Sequence, residues 1–225
     1  VVDRPMPERA HPLEVVAPPS ALDTKRYEKT KWPQFGAPAR IAVTGKSGSG
    51  KSLMAMTLIQ KVYFDMCDRV ILVSGTLKID PTYEPLMKRI REKYTRESIS
   101  LTDPMDAPFH DDLSDLGSIL DGMIKRTKEA EHLGAKWAPL TCVYIDDLGV
   151  GSGAAAGYRH NLGIDKLFTT SRHSGGVIVC LQQAFKMLSR TARLQLSHLA
   201  LFPVLSDEWA SIIETLAGRN GISKE

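Results

Sequence analysis

Cysteine is scarce in this chain. Cys67, Cys142 and Cys180 are all it has in 225 residues, and they stand far apart. A disulfide framework or a zinc site needs cysteines in closely spaced sets, so neither is expected and the setting reads as intracellular and reducing. Long apolar runs are missing too. None approaches the roughly 18 residues of a membrane span, so no membrane partner is expected. The first residues carry no signal-peptide pattern, and with Val1 in first place an initiator methionine is either processed away or not included. Neither sign of charge dominates. A net charge of +3 permits a polyanionic partner without demanding one, and the placement of charge matters more than its total. There is no internal repeat.

What is present is ordinary for a globular protein, with 43% hydrophobic and 24% charged residues. The length suits one α/β domain plus an appendage and buries a core without disulfides or metals. The appendage is residues 1–38, which hold Pro5, Pro7, Pro12, Pro18, Pro19, Pro33 and Pro38. Proline at this density removes backbone donors and bars a helix, so the segment reads as an extended arm. It either straps onto a neighbouring subunit or hangs as a loose tail. Residues 39–225 form the folded domain.

Within that domain, apolar segments alternate with helical ones. Residues 41–43, 69–74, 140–149, 176–183 and 197–203 read as strands. Residues 53–63, 83–94, 111–135, 159–172 and 206–217 read as helices. In the third of these, Leu116, Ile119, Leu120, Met123 and Ile124 recur at helical spacing. Cys142 and Cys180 fall inside strands, where a free thiol acts as a small hydrophobe. The alternation predicts an α/β fold with a mainly parallel central sheet flanked by helices.

Between the first strand and the first helix stands GKSGSGKS: Gly45, Lys46, Ser47, Gly48, Ser49, Gly50, Lys51 and Ser52. It fits G-x-x-x-x-G-K-[ST], the phosphate-binding P-loop, in the strand–loop–helix context that the motif requires. Such a loop turns its backbone N–H groups inward and sets an anion at the positive end of a helix. Lys51 would reach the β- and γ-phosphates of ATP, and the Ser52 hydroxyl would ligate Mg²⁺. Lys46 either adds charge near the phosphates or points to solvent.

About a hundred residues on, an apolar strand ends in Asp146-Asp147. A P-loop ATPase needs a carboxylate there to hold the magnesium shell, and the second acid can polarise the attacking water as general base. Two acids at a strand end also serve as a helix cap or a solvated turn, but the P-loop upstream favours the catalytic reading. Gln183 closes the next strand, where an amide would report on the γ-phosphate. Gln182 competes for that role, since alternation lets only one face the nucleotide. Arg172, Arg190 and Arg193 follow, and a guanidinium supplied in trans stabilises charge on the γ-phosphate. For DNA phosphates, the candidates are Lys88, Arg89, Arg91, Lys93 and Arg96, with Lys125, Arg126 and Lys128 as a second set. Such faces are more often simply solvated.

Taken together, GKSGSGKS, VYIDDLG, SRHSGGVIVCLQQ and the downstream Arg193 with Ser197-His198 resemble, in the same order, the viral genome-packaging ATPases of FtsK–HerA type. These are the motors of poxviruses, other large DNA viruses and virophages. The resemblance covers roughly residues 38–217 and leaves out the proline-rich arm. It implies a P-loop NTPase fold of RecA/ASCE type and an ATP-driven motor that pushes double-stranded DNA into a preformed capsid. It also implies a homo-oligomeric ring docked on a capsid vertex or portal protein. The setting would be the infected cell, in its cytoplasm or virus factory, or the virion. By motif, Gly45 to Ser52 correspond to Walker A, Asp146 and Asp147 to Walker B with the catalytic acid second, and Gln183 to the sensor. Arg193 corresponds to the downstream arginine and Arg172 to an Arg-His pair. One departure is the doubled Gln182-Gln183, where the family shows a single glutamine. A second is the small-residue loop 149–157, either a mobile pore loop or a linker.

Two other readings compete. A small nucleotide kinase would share the fold, but it has no use for paired acids, a glutamine sensor and a trans arginine together. An ATP-gated structural subunit of a capsid vertex would bind nucleotide without needing its hydrolysis.

Overall fold

The computed structural model describes residues 36–146, 162–204 and 206–220. Six strands form one sheet: β1 (Ala39–Thr44), β2 (Arg69–Ser74), β3 (Phe109–His110), β4 (Thr141–Asp146), β5 (Gly176–Gln182) and β6 (His198–Leu201). Their order across the sheet is β3-β2-β4-β5-β1-β6, and every pairing is parallel. A parallel neighbour is reached only by a crossover, and helices supply the crossovers. They are α1 (Lys51–Leu58), α2 (Glu84–Arg96), α3 (Leu116–His132), α4 (Leu162–Thr170), α5 (Arg190–Gln195) and α6 (Glu208–Asn220).

Strand alternation divides the core into two layers. Val43, Leu72, Tyr144 and Val179 face the side covered by α1 and α2. Ala42, Val73, Ile145 and Ile178 face the other side, where α3, α4, α5 and α6 pack. Cys142 and Cys180 are buried free thiols in β4 and β5. Strands covered on both faces read as continuous apolar runs, which is why the sequence makes them so visible.

The expected parallel sheet is present, and β2 coincides with the strand read from the sequence. Two differences have physical reasons. The first helix begins two residues early, at Lys51, because the P-loop is itself the helix start; its end, Ile59–Tyr63, is a π turn closed by Phe64 N–H donating to Ile59 O at 2.8 Å. β3 is two residues long and α5 is six, too short for a periodicity to register. The proline-rich arm and loop 149–157 lie outside the described residues, apart from residues 36–38, of which Ala37 is buried in the core.

The basic helices also come out differently from their sequence reading. Lys93 is buried, and its ammonium donates to Phe64 O at 3.2 Å and Cys67 O at 2.5 Å, carbonyls that follow the π turn. Arg126 donates to Asp106 Oδ1 at 2.5 Å and to Met105 O at 3.3 Å. Both therefore carry structure, and only Lys88, Arg89, Arg91, Arg96, Lys125 and Lys128 remain exposed from the two sets. Removing a buried donor strands its acceptors, at roughly 1–3 kcal/mol. Lys93→Ala should accordingly lower thermal stability by an amount in that range while Lys88→Ala leaves it unchanged; equal melting temperatures for the two variants would contradict the assignment.

Candidate nucleotide site

The register of the sheet sets the site. Ser74 pairs with Asp146, and Thr44 with Gln182, so the last residues of β2, β4, β1 and β5 meet along one edge. Ligands of open α/β sheets bind at this carboxyl edge. A cavity of about 640 Å³ opens there, walled by the loop from Ser47 to Leu53, by Asp146, by Gln182 and Gln183, and by the segment from Ile79 to Tyr83.

Glycine is required at two points of the loop. Gly50 caps α1 with φ at 91°, a left-handed conformation that a side chain disfavours. At Gly45 the constraint is space, since a Cβ there would lie 2.5 Å from the Phe202 Cβ. The Phe202-Pro203 segment binds the loop from its far side: Phe202 N–H donates to Thr44 O at 2.8 Å, and Lys46 N–H donates to Pro203 O at 3.1 Å. Gly45 N–H donates to Gln182 O at 3.2 Å. The loop is thus fixed to β5 and to the chain leaving β6 before any ligand arrives.

Lys51 is buried, with its ammonium donating to Lys46 O at 2.7 Å across the loop. Ser52 Oγ donates to Asp146 Oδ2 at 3.1 Å, joining two positions 94 residues apart. Lys46 has an exposed side chain and contributes to the loop through its backbone. A hydroxyl and a carboxylate side by side form a hard-oxygen pair of the kind that suits Mg²⁺ alongside phosphate oxygens. Because the Ser52 proton is directed to Asp146, its lone pairs remain for a cation, so these residues fit the metal expected with ATP. Among the described residues there is no cluster of three or more His, Cys, Asp or Glu that could hold a metal alone. A nucleotide site does not need one, since the phosphates complete the shell.

Two tyrosines that sequence reasoning did not single out complete the carboxylate's surroundings. Tyr144 OH donates to Asp146 Oδ2 at 2.6 Å, and Tyr83 OH donates to the same oxygen at 2.5 Å. Tyr144 was detectable, since it precedes Asp146 by two positions and strand alternation places both on one face. Tyr83 was not, since nothing local ties a residue before α2 to a distant strand. Burial first, and the Asp146 carboxylate second, push the Tyr83 phenol up to about 12, and the same causes raise Tyr144 well above its usual value.

The remaining sequence-predicted residues are divided. Gln182 is buried and donates its amide N–H to Thr44 Oγ1 at 2.9 Å, whereas the adjoining Gln183 is exposed; both line the cavity. Arg172 and Arg193 do not line it. Arg172 sits in the turn before β5, at the opposite, amino edge of the sheet, and donates to His173 Nε2 at 2.8 Å. Arg193, on α5, donates to Ser211 Oγ at 2.6 Å and stacks over Phe185. Asp147 lies outside the described residues.

This architecture is that of the P-loop NTPases. Among solved structures the chain is similar to the cytoplasmic domain of EssC, with a TM-score of 0.52 at 14% identity over 78% of this chain and 35% of that one. It also aligns with the genome packaging NTPase B204 from Sulfolobus turreted icosahedral virus 2 in complex with AMPPCP (TM-score 0.49, 15% identity, 83% of this chain and 87% of that one). A third neighbour is EssC (ATPases 2 and 3) from Geobacillus thermodenitrificans (TM-score 0.49, 12% identity, 79% and 34%). The chain thus spans about a third of the EssC chains. At these identities the likeness is one of fold. No protein-family model and no curated protein matches the chain. No helix among the described residues is long and apolar enough to cross a membrane.

The buried Tyr83 phenol predicts an alkaline limb. A free phenol ionises near 10.0 and Tyr83 only near 12, so between those values the folded state holds a proton that the unfolded chain has lost. That stabilisation is complete below pH 10 and disappears as pH rises to about 12. Denaturant unfolding across this window should show falling stability, with a shallower fall in Tyr83→Phe; parallel curves would show that Tyr83 is not responsible.

Proposed function

We propose that the chain is an ATP-hydrolysing motor that translocates double-stranded DNA into a preformed viral capsid. It works as a homo-oligomeric ring on a capsid vertex or portal protein. The observation that carries the reading is the Ser52–Asp146 contact at 3.1 Å inside a P-loop cavity, supported by the resemblance of the ordered motifs to FtsK–HerA-type packaging ATPases.

The loop from Gly45 to Ser52, the Walker A element, holds the triphosphate. Lys51 would leave Lys46 O to meet the β- and γ-phosphates, and Ser52 with Asp146 of Walker B would hold Mg²⁺, whose charge would offset that of the phosphate oxygens. Asp147 orients the attacking water and takes its proton. Gln183, exposed to the cavity, faces the γ-phosphate as sensor, while Gln182 anchors the strand end through Thr44. Arg193 or Arg172 serves the site of a neighbouring subunit, which agrees with neither lining the chain's own cavity. DNA is gripped through its phosphates by the exposed cations of α2 and α3, independent of base sequence.

ATP hydrolysis measured with and without long duplex DNA tests this reading: DNA should raise the rate, and Lys51→Ala should abolish nucleotide binding. Phosphate transfer to a nucleoside monophosphate would support the kinase reading. Unchanged packaging by a hydrolysis-dead Asp147→Asn chain would support the structural one. Arg193→Ala should be inactive alone yet regain partial activity when mixed with Asp147→Asn subunits; no recovery in any mixture would remove its trans role.

A further inference from the structure

Asp146 is surrounded more tightly than magnesium binding alone explains. Its Oδ2 accepts from Ser52 Oγ at 3.1 Å, Tyr144 OH at 2.6 Å and Tyr83 OH at 2.5 Å. A carboxylate offers about four lone-pair sites over two oxygens. Here three donors converge on one of them, while no described residue bonds Oδ1. The two phenol bonds, at 2.5 and 2.6 Å, have the length of charge-assisted O–H···O⁻ bonds, among the stronger hydrogen bonds in proteins. The two phenols come from different parts of the chain. Tyr144 stands on β4 itself, and Tyr83 ends the short turn Pro81–Tyr83, whose start is capped by Asp80 accepting from Thr82 N–H at 2.8 Å. The rings pack edge to face, 6.0 Å between centroids, and both are fully buried. Two phenols from different parts of the chain bonding one oxygen favour a single orientation of the carboxylate.

We propose that Tyr83 is a positioning residue for the metal–nucleotide: with Tyr144 it locks the Asp146 carboxylate through Oδ2, so that Oδ1 and the Ser52 lone pairs face the cavity in one fixed arrangement. The inference rests on the nucleotide-site reading. It adds a residue, on the turn leading into α2, that acts on the cation through Asp146. An ordinary phenol is protonated in the neutral range, so both hydroxyls act as donors to the carboxylate. Groups that orient a metal ligand in this way typically matter about 10–100-fold in metal affinity.

The test is binding of a non-hydrolysable ATP analogue at varied Mg²⁺ and in excess chelator. Tyr83→Phe keeps the ring and removes only the hydroxyl. It should raise the Mg²⁺ concentration for half-maximal binding about tenfold or more while leaving metal-free binding as in the wild type, and Tyr144→Phe should shift in the same direction. If Tyr83→Phe keeps the wild-type Mg²⁺ requirement, or weakens binding equally with and without Mg²⁺, the brace is overturned. A wild-type chain whose nucleotide binding ignores Mg²⁺ removes the underlying site reading, and the brace with it.

Discussion

A carboxylate buried at the end of a central strand is costly unless donors surround it, and the arrangement around Asp146 answers that constraint. Three hydroxyls from three parts of the chain converge on it: one from the start of α1, one from its own strand, one from the turn before α2. Each donor also has a positional consequence. Ser52 ties the P-loop helix to β4, Tyr83 ties the turn before α2 to it, and Tyr144 bonds the same oxygen from within the strand. The chemistry of the site and the packing of one face of the sheet therefore depend on the same oxygen atom.

The P-loop is held in a comparable way from the other side. Its first two amides are committed to Gln182 O and Pro203 O, and Phe202 closes over Gly45 at a distance that only glycine accommodates. A loop prepared before its ligand arrives avoids an ordering cost on binding. The same bonds connect it to β5 and β6. The chain beyond β6 leads into α6, whose Ser211 holds Arg193.

The charged helices show how composition misleads without burial. In α2, Lys93 sits four residues from Arg89 on the same helix, yet one side chain donates to backbone carbonyls inside the protein and the other is exposed, over the Phe64 ring. Arg126 is likewise turned inward to Asp106. What remains outside on α2 and α3 is a thinner basic surface than the sequence suggested, and it is the part available to a polyanion.

Much was legible before folding, because the strands are covered on both faces and so appear as unbroken apolar runs, and because a P-loop is a local motif whose glycines, lysine and serine act within eight positions. The parallel sheet, the loop, the helix it starts and the acid ending β4 all follow from such short-range patterns. β3 and α5 were too short to show any period. Gln182 and Gln183 both line the cavity, and the bond from Gln182 to Thr44 follows from the pairing of β1 with β5, which no local pattern marks. That Lys93 is structural and that Tyr83 reaches Asp146 were decided only by tertiary packing. These contacts join residues dozens of positions apart, and nothing in the neighbourhood of either partner encodes where the other will be.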